Sequence, residues 1–254
     1  MPFALTISHL QDMMEQPGCP ICRLSHQAAD HSVGSFLWEN VNDPEIRKDI
    51  FASYGYCPAH TRLLVAKELM ESATVLGVNI IYEHLGRFIA EKLETFTNKE
   101  NLAGGLNNLL QSIGINAGSS TGSQLLSPKG TCPICIASDQ AAVNGLSDLF
   151  EELGHKGGNL KQVYLASDGL CLSHLREGVE HFGRQHPEAS KIIIEDTIKR
   201  LVEQSVHMKE YIRKNNWQYR DEKLTLDESE AWRKTLTFLT GLPGSQFNHK
   251  VEEF

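Results

Sequence analysis

All six cysteines of the chain lie in two kinds of short motif, each written twice: Cys19-Pro20-Ile21-Cys22 and Cys132-Pro133-Ile134-Cys135, then Cys57-Pro58-Ala59-His60 and Cys171-Leu172-Ser173-His174. One motif of each kind supplies three potential thiolates and one imidazole, the ligand count of a closed tetrahedral zinc site. Two zinc ions per chain are therefore expected, with Cys19, Cys22, Cys57 and His60 as one ligand set and Cys132, Cys135, Cys171 and His174 as the other. A closed shell of four protein ligands leaves no position for water or substrate, so catalysis at the metal is not expected.

The repetition extends beyond the ligands. Gln27-Ala28-Ala29 follows the first cysteine pair at the offset at which Gln140-Ala141-Ala142 follows the second. The segment 52–57 (Ala52, Ser53, Tyr54, Gly55, Tyr56, Cys57) aligns with 166–171, where Asp168 replaces Tyr54 and Leu170 replaces Tyr56. Such self-similarity at a fixed spacing reads as an internal duplication with one metal site per copy. The 34 residues between Cys22 and Cys57, and the 35 between Cys135 and Cys171, exceed the spacing of a zinc ribbon and suit a helical hairpin whose two ends return to the ion.

The elements that must position these ligands read as helices. Apolar residues recur at helical spacing and alternating runs are scarce, so the expected fold is all-α, two pseudo-repeated helical lobes each clipped by a Cys3His zinc site. Pro20 and Pro133 suit the first turn of helices expected over 21–39 and 134–153. Asp43-Pro44 opens a short helix ended near Gly55, and Cys57 opens a long helical stretch to about Phe96, with Val78, Ile81, Leu85 and Phe88 facing a core. In the second copy a short helix ends near Gly169, Cys171 opens the next, Pro187 breaks it, and a helix follows over 188–214 with Ile194, Ile198, Leu201, Ser205, Met208 and Ile212 on one face. Thr225 and Glu228 form a capping-box pattern and Gly241 suits a C-cap. The expected division is 1–97 and 131–216 as the two repeats, 98–130 as a linker rich in Gly, Asn and Ser with a short helix near 106–113, and 217–254 as a helical extension.

Composition sets the outer limits. At 254 residues, 41% hydrophobic and 22% charged, the chain is an ordinary globular one, and no apolar run approaches a membrane-spanning length. The N-terminal residues lack the features of a secretory signal, so the expected location is the cytoplasm, where cysteines serve metal or redox chemistry in place of disulfides. A formal charge of −8 disfavours general nucleic-acid binding. The basic and aromatic stretch from Arg213 to Arg220 reads as a solvated helix end with Trp217 tucked into the core. His26, His31, His84, His155, His181, His186 and His207 show no metal-ligand spacing, and no P-loop, dinucleotide fingerprint or nucleophile elbow is present.

With its ordered pairs of cysteine motifs and the terminal segment 232–244, beginning Trp232-Arg233 and ending Gly241-Leu242-Pro243-Gly244, the chain resembles an uncharacterised family of bacterial proteins over nearly its whole length. The resemblance implies a mostly helical bacterial metal-binding protein and carries no reaction with it. Leu172, where the first copy has Pro58, departs from the pattern without removing a ligand. Two roles fit these readings: a helical scaffold with two structural zinc sites that binds another protein in a groove between its lobes, or a thiol-based sensor that releases zinc on oxidation. An iron–sulfur protein is the other metal reading, since such clusters also use cysteine and tolerate a histidine.

Overall fold

A computed structural model describes residues 4–111, 126–155, 159–219 and 221–241. Among them every regular element is helical: α1 (Ala4–Met14), α2 (Pro20–Ser35) running into a π-turn (Phe36–Asn40), α3 (Pro44–Ala52), α4 (Pro58–Ser72), α5 (Leu76–Gln111), α6 (Pro133–Gly154), α7 (Leu160–Ala166), α8 (Leu172–Phe182), α9 (Pro187–Lys214), a 3-10 turn (Trp217–Tyr219) and α10 (Leu226–Thr240). The fold is all-α, as expected. No helix among the described residues is long and apolar enough to cross a membrane.

The helix boundaries follow from local chemistry. Pro20, Pro44, Pro58, Pro133 and Pro187 each occupy the first position of a helix, where a missing N–H costs nothing. Asp43 caps α3 by accepting from the backbone N–H groups of Glu45 and Ile46 at 2.9 and 3.1 Å. The Thr225 and Glu228 capping box forms at the start of α10, and Gly241 closes that helix in the left-handed region at φ 72°. The stretch expected as one helix from Cys57 to about Phe96 is instead two, because Ala73 adopts φ 53°. The break is stabilised by buried Glu68, whose carboxylate accepts the N–H groups of Gly77 and Val78 at 2.5 and 3.0 Å in the first turn of α5.

The chain forms two compact units, one made of Met1–Ala28 with Ser138–Phe254 and the other of Ala29–Ala137, so each unit draws on both sequence repeats. The core of the first gathers Ile21, Leu146, Leu149, Phe150, Leu160, Tyr164, Leu170 and Ile193. The core of the second gathers Ala29, Val33, Phe36, Ile50, Tyr56, Leu64, Ile81 and Ile134. Ile21, Ala29, Val33 and Phe36 are buried, and so are the residues 113 positions later, Ile134, Ala142, Leu146 and Leu149. Linker residues 112–125 and the tail from 242 lie outside the described residues, while the Gly- and Asn-rich stretch before them belongs to α5.

Two expectations about packing are corrected. The buried face of α9 is Ala189, Ile193 and Thr197, one residue out of phase with the expected stripe, and Ile194, Ile198 and Ile212 are exposed. Trp217 is 77% exposed. Arg213 lies 4.7 Å over the Tyr219 ring and pairs with Glu210 and Glu222, so Tyr219 is the aromatic that this helix end covers. The end of α9 is joined to α10 by Lys214, whose ammonium reaches both carboxylate oxygens of Glu228 at 2.8 and 2.7 Å.

Glycine substitutions test this packing. A Cβ at Gly178 would sit 2.5 Å from the Phe150 ring, whereas at Gly86 nothing lies within 4 Å. Gly178→Ala is expected to destabilise by about 1–3 kcal/mol, and Gly86→Ala to stabilise by about 0.5–1 kcal/mol, both read from urea unfolding.

Candidate metal centres

The eight expected ligands form two clusters, but not in the expected pairing. Cys19 and Cys22 meet Cys171 and His174 in centre A, and Cys57 and His60 meet Cys132 and Cys135 in centre B. The expectation that each cysteine pair closes a hairpin with the next Cys-x-x-His motif in the chain is overturned: Cys19 and Cys22 meet the second such motif, and Cys132 and Cys135 the first. Helix α2 carries the chain about 20 Å onward from Cys22 to its end at Ser35, and its last turn with the π-turn packs Val33 and Phe36 with Ile50 and Tyr56. Cys57 is thereby held in the second unit, beside the start of α6 with Cys132 and Ile134. Each centre lies wholly inside one compact unit.

The geometry within the two centres is nearly the same. In centre A the Nδ1 of His174 lies 3.5, 3.4 and 3.2 Å from the sulfurs of Cys19, Cys22 and Cys171. In centre B the Nδ1 of His60 lies 3.3, 3.5 and 3.3 Å from those of Cys57, Cys132 and Cys135. The sulfurs of Cys22 and Cys171, and of Cys57 and Cys135, are 3.7 Å apart. A tetrahedral ion with metal–sulfur bonds near 2.3 Å and metal–nitrogen bonds near 2.0 Å would set edges of about 3.8 Å between sulfurs and about 3.5 Å from sulfur to nitrogen. The observed edges fit one such ion in each centre.

Backbone features hold each pair of ligand segments together. Cys57 and Cys171 occupy matching N-cap positions, at φ −64°, ψ 162° and φ −74°, ψ 165°, so Leu172 starts α8 as well as Pro58 starts α4. In centre A, Gly18 takes φ 93° and donates its N–H to Asp168 at 2.6 Å, tying the residue before Cys19 to the turn before Cys171. In centre B the same task falls to the N–H groups of Lys129 and Gly130, which both reach the carbonyl of Ala52 at 2.8 and 2.9 Å. Sequence reasoning treated Asp168 only as a mismatch between the copies. It also read Gly241 only as a helix cap, yet a Cβ there would lie 3.1 and 3.4 Å from the sulfurs of Cys22 and Cys171, so this glycine lets the end of α10 close over centre A.

Protons are divided unevenly among the ligands. In centre A, hydrogen bonds from Cys19 and Cys22, and the N–H of His174, hold the Cys171 thiol far below its usual range against the opposing effect of burial. The same contacts with Cys171 and Cys19, together with burial, push Cys22 far above it. Burial opposes a charge on His174, but the Cys171 and Cys19 sulfurs outweigh it and raise the imidazole to about 10. In centre B, burial works against the Cys57 thiolate, yet the N–H groups of His60 and Ala59 and the Cys135 contact lower its pKa, while burial and the Cys57 contact push Cys135 up to about 12. The two lowered thiols, Cys171 and Cys57, both accept backbone N–H groups at the start of their helices, which favours the thiolate form. A cation held among the sulfurs would favour the thiolate form of its ligands.

Two predictions follow from this arrangement. At neutral pH a metal ion entering centre A must displace the protons of Cys22 and His174, both held by raised pKa values. Affinity should therefore rise with pH and fall on acidification, with at least two protons released per ion, measurable by calorimetry in buffers of different ionisation enthalpy. In metal-loaded Cys22→Ser protein, alkylation mapping should find Cys19 and Cys171 reactive and Cys57, Cys132 and Cys135 protected; reactive Cys57 with protected Cys171 would restore pairing within each copy.

The comparisons with known proteins assign the chain no role. The chain is 23% identical over 226 residues to an "Uncharacterized 23.9 kDa protein in xynA 3'region" from Caldicellulosiruptor sp. (strain Rt8B.4), covering 88% of this chain and 95% of that one. No solved structure matches. A family model matches residues 4–244, and the chain thus belongs to DUF6062, a family of unknown function.

Proposed function

We propose that this protein is a helical scaffold whose two units are each closed by one structural zinc ion, and that it acts by binding another protein. The observation that carries the metal reading is the fit of four ligand atoms in each centre to the edges of a single tetrahedral ion. An iron–sulfur cluster interposes several iron and sulfide atoms between its cysteines, which 3.7 Å separations do not accommodate. Bound zinc would join two segments far apart in the chain and contribute on the order of 10 kcal/mol to the closed form.

The scaffold reading is supported by an exposed apolar ridge on α9, Ile194, Ile198, Val202 and Val206, spaced by one helical turn along a single face. The duplication we infer from the sequence is supported by the recurring buried positions and by Ser25 and Ser138. These two, 113 residues apart, exchange hydrogen bonds, each hydroxyl donating to the other's carbonyl at 3.1 Å, the reciprocal pattern of an isologous contact.

The thiol-sensor reading calls for exposed thiolates, whereas Cys19, Cys132 and Cys171 are buried and Cys22, Cys57 and Cys135 half-buried. Native mass spectrometry and elemental analysis before and after mild peroxide decide between them. Two zinc ions per chain retained through oxidation are the expected result. Stoichiometric zinc loss with reversible unfolding would replace the scaffold by the sensor, and iron or no metal would overturn both.

A further inference from the structure

The second unit carries an open cleft, about 500 Å³, whose wall combines Arg47, Lys48, Lys92 and Lys129 with Phe51, Tyr54, His84 and Phe88 and includes no carboxylate. Four cations without a lining acid are unusual in a chain of net charge −8. Neither Arg47, Lys92 nor Lys129 has a carboxylate partner among the described residues. Arg47 is oriented by the Val41 carbonyl, Asn42 and His84 at 2.7, 3.1 and 2.9 Å. Lys92 donates to the Tyr54 hydroxyl at 3.0 Å and lies 4.4 Å over the Phe88 ring. Lys48 makes only an exposed 3.5 Å contact with Glu45. Lys129 comes from a distant part of the chain and is held at the rim by its own N–H bond to Ala52.

The fold and the metal centre do not require this cleft. At the aligned positions of the other copy, Arg47 becomes Lys161, Lys48 becomes Gln162, Phe51 becomes Leu165 and Tyr54 becomes Asp168, whereas the neighbouring Ala52, Ser53, Gly55 and Cys57 recur as Ala166, Ser167, Gly169 and Cys171. Tyr54 is held at φ 55°, a backbone region that bulky residues rarely occupy and that is tolerated where surrounding structure imposes it. The cations offer charge-assisted donors to an anion, and the Phe51, Phe88 and His84 wall offers an apolar face to a flat ring, Phe51 and Phe88 lying 5.0 Å apart.

We propose that this cleft binds a small molecule bearing phosphate groups on an aromatic ring system, a mononucleotide in its general form. The phosphates are taken by Arg47, Lys92 and Lys129 and the ring lies against the aromatic wall. A cavity of this size lies within the range of small-ligand sites.

The test is calorimetric titration of the intact, metal-loaded chain with adenosine diphosphate, inorganic pyrophosphate, adenosine and a single-stranded deoxyadenosine oligonucleotide. Adenosine diphosphate should bind one per chain, at least about tenfold more tightly than pyrophosphate or adenosine, and more weakly as salt rises. Lys92→Gln and Lys129→Gln should each weaken it about tenfold, and Lys161→Gln, the counterpart in the other copy, should leave it unchanged. Lys129 is exposed, so its variant tests the site without disturbing the core. Absence of saturable binding, equal binding of pyrophosphate, indifference to both lysine variants, or tighter binding of the oligonucleotide would each overturn the proposal. Metal content measured on the same samples separates this outcome from a failure of the zinc reading.

Discussion

Each compact unit must bring together four potential ligand atoms from two segments that are remote in the chain, Cys22 and Cys171 being 149 residues apart and Cys57 and Cys135 78 apart. Bringing such segments together costs chain entropy that grows only with the logarithm of their separation, so the longer closure is costlier by only about 0.6 kcal/mol. An electrostatic constraint acts as well: without a cation the thiols are unevenly poised, with Cys171 and Cys57 lowered and Cys22 and Cys135 raised. A divalent ion bound there would turn this mutual repulsion into attraction and would link metal content to long-range closure.

Around this shared constraint the units diverge. Centre A is braced by the Asp168 carboxylate and closed over by Gly241 at the end of α10, whereas centre B is braced by two backbone bonds to Ala52. Helix α10 is secured by its own capping box and by the Lys214 and Glu228 pair, which places its glycine cap against the sulfurs. Tyr54 and Asp168 occupy the same position in the two copies and do different work, one walling a cationic cleft, the other holding the N–H that precedes Cys19. The ligand residues recur in both segments, whereas the residues around them differ.

The limits of sequence reading appear at particular residues. Ile192, Ile193 and Ile194 form an unbroken apolar run, so the phase of α9 is undetermined locally, and packing against the first core buries Ile193 and exposes Ile194. The break at Ala73 has no proline or glycine to announce it. It is stabilised by Glu68, whose role depends on reaching N–H groups nine and ten residues ahead. Trp217, expected in the core at a solvated helix end, lies in a short 3-10 turn and is exposed. Where the signal is local, as at Asp43, Thr225 and Gly241, reading and structure agree, because capping is a contact between near neighbours in the chain.

The same reasoning accounts for the metal sites. The residues themselves determine the helical class, the eight ligands and their four-fold sets of three sulfurs and one nitrogen, since these depend on side-chain chemistry and short spacing. Which pair meets which is another matter. Because the two copies carry the same motifs, closure within a copy and exchange between copies satisfy an ion equally well, and no local residue distinguishes them. Tertiary structure decides it: α2 and α6 carry their C-terminal turns away from the cysteine pairs at their starts, and the cores around Phe36 with Tyr56, and Leu149 with Leu170, hold each Cys-x-x-His turn beside the other copy's cysteines.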